Sequence, residues 1–199
     1  MRVLVACEFS GIARDAFMAA GHEAYSCDLL PTERPGPHMR EDAIVAAYER
    51  GPWDMMIAHP PCTVMAVSGA RWWEGREKEQ LAAIRFAMGL ACAPIQRICI
   101  ENPVSILSTA WREPDQIIQP WQFGHEETKT TCLWLKNLPP LAPTKVMEKR
   151  NGNLTASGQN KLSPGPDRWK ERSRTYEGIA LAMATQWSRP LASQLELIA

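Results

Sequence analysis

The most informative part of the sequence is Trp53-Asp-Met-Met-Ile-Ala-His-Pro-Pro-Cys62. Its apolar residues 55–58 predict a buried strand, which ends at His59 and the two prolines that follow. In an open parallel sheet, ligands bind beyond the carboxyl ends of the strands. Because the prolines restrict the backbone, we expect Cys62 on a stiff turn at that edge of the sheet.

Two interpretations of Cys62 remain open at this point. A positioned, accessible cysteine suits nucleophilic attack when positive charge or a helix amino end favours its thiolate. His59, Arg71 and the start of the next helix are the candidates for this assistance. The alternative is that Cys62 is one more small apolar residue in a proline-rich turn.

Length and composition are those of a soluble globular protein. The chain has 199 residues, of which 45% are hydrophobic and 22% are charged. No apolar run approaches the roughly 20 residues that span a bilayer, and the first residues lack the pattern of a signal peptide. We therefore expect a cytoplasmic protein without a membrane partner. The six cysteines include no close pair of the zinc or redox type, so no metal site is predicted.

Positive charge is concentrated near the carboxyl end. Residues 136–176 contain nine basic and three acidic side chains, whereas the net charge of the whole chain is zero. This asymmetry permits a basic face that binds phosphates, and a solvated charged loop is the alternative. We predict a small basic lobe at 136–172, between a catalytic and cofactor-binding domain at 1–135 and a carboxyl-terminal helix at 173–199.

The first strand and helix form one half of a nucleotide-binding unit. Residues 2–7 are β-branched and aliphatic, as in a central parallel strand, and residues 12–20 have an apolar helical face. Phe9, Ser10 and Gly11 lie between them. Because the helix amino end and the glycine backbone approach the ligand in such units, this turn is a candidate cofactor site.

Two aspartates follow in the same region. Asp28 ends a second predicted strand, residues 22–27, at the place where α/β proteins hold the two hydroxyls of a ribose. A turn cap is the alternative for Asp28. Asp42 precedes a short predicted helix that runs to Tyr48, and we expect it either to cap this helix or to face the adenine of a nucleoside.

A further buried strand ends in a polar corner. Residues 97–100 predict the strand, and Glu101, Asn102 and Pro103 end it. Parallel strands joined by a right-handed helix have their carboxyl ends at the same edge of the sheet, so we expect Glu101 beside Cys62. The alternative for Glu101 is a helix or turn cap.

The whole pattern predicts a doubly wound, mostly parallel α/β sheet with a small irregular lobe. The other predicted elements are a helix at 74–92, a hairpin at 117–135, an irregular loop at 139–166 and a final helix at 178–187. In the first of these helices, four residues at helical spacing are expected in the core: Leu81, Ile84, Met88 and Ala91.

Three short motifs occur in the order and strand context of a known family. Phe9-Ser10-Gly11 is similar to its cofactor-loop motif, Pro60-Pro61-Cys62 to its nucleophile motif and Glu101-Asn102 to its acid motif. The chain therefore resembles the cytosine-5 DNA methyltransferases of the S-adenosylmethionine-dependent fold over roughly its whole length. The resemblance is closest to the compact versions found in phage genomes.

The resemblance implies methyl transfer from S-adenosylmethionine to the 5-position of cytosine. In this family the nucleophile, here Cys62, adds to C6 while the acid, here Glu101, stabilises protonation at N3. Asn102 would hold the Glu101 corner. Lys129 and Thr131 stand at the family's basic motif and would steer the base or its phosphate. The implied cofactor-binding residues are Phe9, Ser10, Gly11, Ile12, Asp28, Asp42, Pro60 and Gly178.

The implied partner is DNA, either a duplex with a flipped cytosine or a single strand. The family inserts a large target-reading domain after the basic motif, whereas about 40 residues separate Leu135 from Tyr176 here. Reading bases in a groove takes at least about 600 Å² of protein surface. We therefore predict short or relaxed sequence specificity.

Other functions remain as alternatives. One is a pyrimidine-nucleotide 5-modifying enzyme that acts on monomers, and another is a catalytically silent cofactor- or DNA-binding protein. A dinucleotide-binding oxidoreductase is disfavoured because the three-glycine fingerprint is absent from the sequence. An amino-methyltransferase is disfavoured because His59 and Cys62 occupy the places of its polar and aromatic motif residues.

Overall fold

The structure is a computed structural model that describes residues 1–148, 165 and 168–188. Within these residues one sheet contains the strands β1 (Arg2–Ala6), β2 (Glu23–Cys27), β3 (His38–Met39), β4 (Met55–Ala58), β5 (Arg97–Pro103), β6 (Gln116–Ile118) and β7 (Thr131–Lys136). The α-helices are α1 (Ile12–Ala19), α2 (Ala43–Glu49), α3 (Glu77–Ala91), α4 (Leu107–Ala110), α5 (Arg168–Ser173) and α6 (Glu177–Gln186). Short 3₁₀ helices lie at Val67–Trp72 and Pro120–Gln122.

The sheet is mostly parallel and has an antiparallel end. Its strand order is β3-β2-β1-β4-β5-β7-β6. The pairs from β3 to β5 in this order are parallel, whereas β7 runs antiparallel to both β5 and β6. The β6 and β7 pair corresponds to the hairpin predicted at 117–135. The predicted fold class is confirmed.

Helices cover both faces of the sheet. Successive side chains of a strand point to opposite faces. In β1, Val3 and Val5 pack with α1 and α6, whereas Leu4 and Ala6 pack with α2 and α3. All four side chains are fully buried. Both faces of the sheet are therefore covered, which fits the apolar residues at the centres of its middle strands, and the sheet is doubly wound as predicted.

The apolar stripe predicted on α3 is confirmed only in part. The helix is shorter than the predicted 74–92, and its buried residues are Ala87 and Leu90. Of the predicted stripe, Ile84 and Ala91 are partly buried and pack against the core, whereas Leu81 is 47% exposed. Residues 77–82 are largely exposed, so the first turns of α3 contribute little to the core.

The carboxyl ends of β4 and β5 lie side by side. In their parallel register Ala58 is opposite Ile100. The next residues, His59 and Glu101, therefore leave adjacent strands at the same edge of the sheet. The prediction that the two polar corners share one edge is confirmed.

Most of the predicted basic lobe lies outside the described residues. Of residues 136–172, the structure describes 136–148, 165 and 168–172, and residues 189–199 of the predicted last segment are also outside. The predicted domain boundaries therefore stay a prediction. In the part of the chain that the structure describes, no helix is long and apolar enough to cross a membrane.

Candidate active site

The turn after β1 is fixed by a glycine and by local hydrogen bonds. Gly11 has a φ of 76° and caps α1, and a Cβ at this position would collide with the Arg14 guanidinium, so only glycine fits. Phe9 and Ile12 are buried, and the Ile12 amide donates to the Ser10 hydroxyl oxygen at 3.3 Å. These residues form one ordered turn, and their contact with a cofactor stays a prediction.

Glu8, which precedes this turn, was not identified from the sequence. It is 3% exposed. Its Oε1 accepts hydrogen bonds from the Ser10 hydroxyl at 2.8 Å and from the Ala13 amide at 2.9 Å. Its Oε2 is buried and has no hydrogen-bond partner among the described residues. A charged residue directly after an apolar strand was the signal that could have revealed it.

The two aspartates of the predicted cofactor site make local contacts. Asp28 Oδ1 accepts from the Leu30 amide at 2.9 Å. Asp42 Oδ1 accepts from the Ile44 amide at 2.7 Å, as the N-cap of α2. The capping alternative is therefore observed for Asp42, and Asp28 stabilises its own turn. Contact of either residue with a cofactor stays a prediction.

A buried arginine holds the loop after β2 against α1. Arg14 is fully buried and donates to the Thr32 hydroxyl at 3.2 Å, to the Arg34 carbonyl at 3.0 Å and to the Pro35 carbonyl at 3.2 Å. These bonds fix the loop that carries Glu33. No sequence motif indicates this arrangement, because the partners are spread over the loop and include backbone carbonyls.

Hydrogen bonds fix the corner that carries Glu101. His59 Nδ1 donates to Glu101 Oε2 at 2.9 Å, and the two side chains are 10% and 20% exposed. Asn102 Nδ2 donates to the Pro60 carbonyl at 2.9 Å. Because Pro60 belongs to the Pro60-Pro61-Cys62 turn, Asn102 joins the strand of the acid to the turn of the thiol.

Charges in this corner affect the acid and the thiol in opposite directions. Burial raises the pKa of Glu101, but the His59 hydrogen bond and the positive charges of His59 and Lys129 outweigh burial, so the pKa lies below its ordinary value. Burial raises the pKa of the Cys62 thiol, and the charge of Glu101 raises it further, while Lys129 and Arg172 lower it only in part. Without a ligand, the corner favours an ionised acid and a protonated thiol.

The positive groups that affect Cys62 differ from the predicted ones. His59 bonds to Glu101 rather than to the thiol. The Arg71 guanidinium lies over the Trp72 ring, 5.2 Å from its centre. Lys129 and Arg172, rather than His59 or Arg71, are the side chains that lower the Cys62 pKa, so assistance from His59 or Arg71 stays a prediction.

Lys129 and Thr131 approach the same corner from β7 and the residues before it. Thr131 pairs with Pro103 of β5, and its hydroxyl donates to the Lys129 carbonyl at 3.2 Å. Lys129 Nζ donates to the Arg172 carbonyl at 3.0 Å and lies 5.7 Å from the centre of the Tyr176 ring. Both predicted residues are thus near Glu101, and their roles toward a substrate stay predictions.

Gly178 lies in the first turn of α6. Its amide donates to His125 Nε2 at 2.9 Å, and a Cβ at this position would collide with the carbonyl oxygen of Phe123. Close packing of α6 therefore requires a glycine here. The predicted contact of Gly178 with the cofactor does not follow from this packing and stays a prediction.

Residues 168–176, which we call the strap, cross the site from the carboxyl-terminal part of the chain. The Trp169 ring lies 6.1 Å from the Phe9 ring. Arg174 makes two hydrogen bonds of 2.8 Å to the Glu33 carboxylate. The sequence showed this segment only as basic, because its contacts join residues that are far apart in the chain.

Two cavities lie beneath the strap. The first is open to solvent, has a volume of about 310 Å³ that includes solvent space, and is lined by Glu101, Lys129, Thr131 and residues of the strap and α6. The second is also open, has a volume of about 180 Å³ on the same measure, and is lined by Cys7, Glu8, Phe9 and Ser10. Both are also lined by His59, Ser173 and Thr175. Cys62 is not among the described residues that line these two cavities, although Glu101 is close enough to affect its pKa.

Comparison with known proteins supports the fold assignment. No protein-family model and no curated protein matches the sequence. A solved structure with the same fold is that of a proposed DNA modification methyltransferase encoded within a prophage of E. coli. The identity is 13%, the TM-score is 0.51, and the match covers 84% of this chain and 56% of that chain. The chain therefore spans a little over half the length of this neighbour, and the likeness shows a shared fold.

Proposed function

We propose that this chain is an S-adenosylmethionine-dependent DNA methyltransferase that methylates the 5-position of cytosine through a covalent bond to Cys62. One observation carries the proposal: Glu101 and the Pro60-Pro61-Cys62 turn leave adjacent strands and are joined by Asn102. The fold shared with a proposed DNA modification methyltransferase supports it.

The cofactor region has features that fit S-adenosylmethionine. This cofactor supplies a methyl group on a positively charged sulfur. The second cavity lies beside the glycine turn and is lined by Glu8, whose buried Oε2 lacks a hydrogen-bond partner among the described residues. The residues proposed to hold the cofactor are Phe9, Ser10, Gly11, Ile12, Asp28, Asp42, Pro60 and Gly178.

In the proposed reaction, the Cys62 thiolate forms a bond to C6 of cytosine. The electron pair of the ring moves toward N3, where Glu101 donates a proton. C5 is then nucleophilic and would accept the methyl group that S-adenosylmethionine supplies when bound, which leaves S-adenosylhomocysteine. A water-derived base then removes the hydrogen of C5, the bond between sulfur and C6 breaks, and the N3 proton returns to Glu101.

The charges in the corner link these steps. In the free protein, the charge of Glu101 opposes the Cys62 thiolate. A base bound beside Glu101 favours uptake of a proton from water onto its carboxylate, and the protonated acid does not oppose the thiolate until it passes that proton to N3. Lys129 and Arg172, which lower the Cys62 pKa, remain to stabilise the thiolate. Acid and nucleophile are therefore both favoured when a base is bound between them.

The position of Cys62 adds one requirement. Because Cys62 does not line the first cavity, its side chain has to rotate toward Glu101 when a base occupies that space. The Pro60-Pro61 backbone keeps the turn itself in place. We therefore propose that the first cavity receives the cytosine, and that the substrate is DNA with a flipped or unpaired base read with short or relaxed specificity.

The test is incubation with a DNA oligonucleotide that contains 5-fluorocytosine, in the presence of S-adenosylmethionine. Fluorine at C5 cannot leave as the hydrogen does, so the bond between sulfur and C6 persists. We expect a protein-DNA adduct that survives denaturation with the wild type and is absent with Cys62→Ala. The exposed Cys92 provides the matched control, and Cys92→Ala is expected to form the adduct normally.

A parallel reaction with the 5-fluoro-dCMP monomer separates DNA from nucleotide substrates. Adduct formation with the oligonucleotide alone supports the proposal, whereas faster reaction with the monomer favours a nucleotide-modifying enzyme. An adduct that Cys62→Ala forms as well as the wild type would disprove the covalent role of this residue.

A further inference from the structure

Two side chains that line the second cavity each carry a buried polar atom that lacks a hydrogen-bond partner among the described residues. These atoms are Glu8 Oε2 and His59 Nε2. An unsatisfied buried polar group destabilises the folded state, and native structures contain few of them. Two such atoms at one small cavity indicate that a polar ligand completes their bonding.

The hydrogen bonds of Glu8 indicate which chemical group the ligand presents to it. Its Oε1 is already used by Ser10 and Ala13, so the free capacity is on Oε2. A carboxyl group without a counter-charge favours a cationic hydrogen-bond donor. The described residues that line this cavity include no lysine or arginine, and Nδ1 of His59 is committed to Glu101. The missing positive charge is therefore expected on the ligand.

The position of the second cavity indicates which of the two positive groups of the proposed cofactor Glu8 contacts. This step rests on the proposed function. S-adenosylmethionine carries a sulfonium group and an α-ammonium group. The sulfonium has to face the first cavity, where Glu101 lies, because the methyl group is transferred there. We propose that Glu8 binds the α-ammonium group of S-adenosylmethionine in the second cavity.

Glu8 therefore has two roles, one for each oxygen. Oε1 shapes the cofactor turn through Ser10 and Ala13, and Oε2 binds the ligand. Glu8→Gln separates these roles, because a glutamine keeps an acceptor oxygen for the turn and replaces the other oxygen with an amide nitrogen. An amide nitrogen cannot accept a hydrogen bond from an ammonium group.

The experiment measures dissociation constants by calorimetry for the wild type and Glu8→Gln. The ligands are S-adenosylmethionine, S-adenosylhomocysteine and 5′-methylthioadenosine, the last of which lacks the amino-acid group. We expect Glu8→Gln to weaken the first two by about tenfold to a hundredfold, as for a charged hydrogen bond, and to leave 5′-methylthioadenosine unchanged. Glu79→Gln on the exposed surface of α3 is the matched control and should change none of the three.

Each other outcome has a defined meaning. Equal weakening of all three ligands shows that Glu8 only shapes the turn, and weakening of S-adenosylmethionine alone assigns Glu8 to the sulfonium; either result overturns the inference. If Glu8→Gln does not fold, the wild type is compared with S-adenosylhomocysteine and its deaminated analogue, and equal affinities overturn the inference. A wild type that binds no adenosyl ligand refutes the proposed function itself, whereas tight binding unaffected by Glu8→Gln refutes only the role of Glu8.

Discussion

The carboxylate of Glu101 restrains the reactivity of Cys62 in the free protein, because burial and this charge both raise the pKa of the thiol. We expect Glu101→Gln to remove the charge, lower the Cys62 pKa and make alkylation by iodoacetamide severalfold faster at pH 8. Lys129→Gln is expected to do the opposite, since Lys129 lowers that pKa. Peptide mass spectrometry of Cys62 between pH 7 and pH 10 measures both rates.

The exposed thiol of Cys92 serves as a control in the same samples. Its alkylation rate should be the same in the wild type and both variants. In Glu101→Gln the rate curve of Cys62 should move to lower pH, since a lower pKa gives more thiolate at a given pH. Slower alkylation of Cys62 in Glu101→Gln would contradict the charge coupling.

The nitrogen Nδ1 of His59 holds the acid in place. His59→Asn puts an amide nitrogen near the position of Nδ1 and should keep the bond to Glu101, whereas His59→Gln places its nitrogen near Nε2 and should lose it. We expect His59→Gln to lower kcat for DNA methylation by about tenfold to a hundredfold, and His59→Asn to stay within about fivefold of the wild type. Steady-state kinetics should show the loss in kcat rather than in KM for DNA. Equal losses in the two variants would mean that His59 only fills space.

The sequence identified some of these residues and not others, for a physical reason. Cys62 and Glu101 directly follow apolar strands, so their location at the sheet edge follows from chain order and parallel topology. The partner of His59 could not be predicted, because either the thiol or the acid is within reach of a side chain at that position. Glu8 was missed because its bonding depends on which of its oxygens the turn uses.

At the scale of elements, α6 depends on a glycine. A Cβ on Gly178 would collide with the backbone carbonyl of Phe123, which cannot move as a side chain can. We expect Gly178→Ala to lower the free energy of unfolding by about 1–3 kcal/mol. Chemical denaturation followed by circular dichroism measures this change.

A second glycine gives the matched control for this substitution. At Gly69 the nearest atom to an added Cβ is the Thr63 carbonyl oxygen at 3.6 Å, an ordinary contact. Gly69→Ala should change the free energy of unfolding by less than about 0.5 kcal/mol. A Gly178→Ala protein as stable as the wild type would show that α6 shifts easily and that the glycine serves another purpose.

Helices and strands were predictable where one sequence pattern shows both the kind of element and which of its residues are buried. Residues 3–6, 55–58 and 98–100 of β1, β4 and β5 are continuous apolar runs, and both faces of the sheet are covered there. The apolar stripe of α3 was predicted only in part, because helical spacing does not show which turns of the helix lie against the sheet. The strap was recognised only as a basic segment, since its hydrogen bonds to Glu33 and its ring contact with Phe9 join residues far apart in the chain.

At the scale of the whole molecule, the described elements all belong to the sheet and the layers around it. Flipping a paired cytosine costs a few kcal/mol, and an unpaired one avoids most of this. We therefore expect methylation of single-stranded oligonucleotides to be at least about tenfold faster than methylation of the matched duplex. Initial rates on a single strand, a duplex and a duplex with a mismatched cytosine measure this. Equal rates on all three, or a preference for the duplex, would contradict the proposed mode of substrate binding.

The fold as a whole was predictable because strands and helices alternate along the first half of the chain, which is typical of parallel sheets. The antiparallel end, where β7 lies between β5 and β6, was predicted only as a hairpin. Its insertion next to β5 brings Lys129 and Thr131 to Glu101, and nothing in the local sequence specifies which strand it joins.

The strap and α6 are the last described parts of the chain to leave the ribosome. Both pack against residues near the amino end of the chain. Ile179 and Met183 of α6 are buried in the same cluster as Phe17 of α1, and Trp169 of the strap contacts Phe9. During synthesis, a nascent chain that stops at β7 therefore leaves one side of α1 open to water. The two proposed binding cavities are thus completed late in translation, and a ribosome that stalls just after β7 holds a chain with its sheet formed and these cavities unfinished.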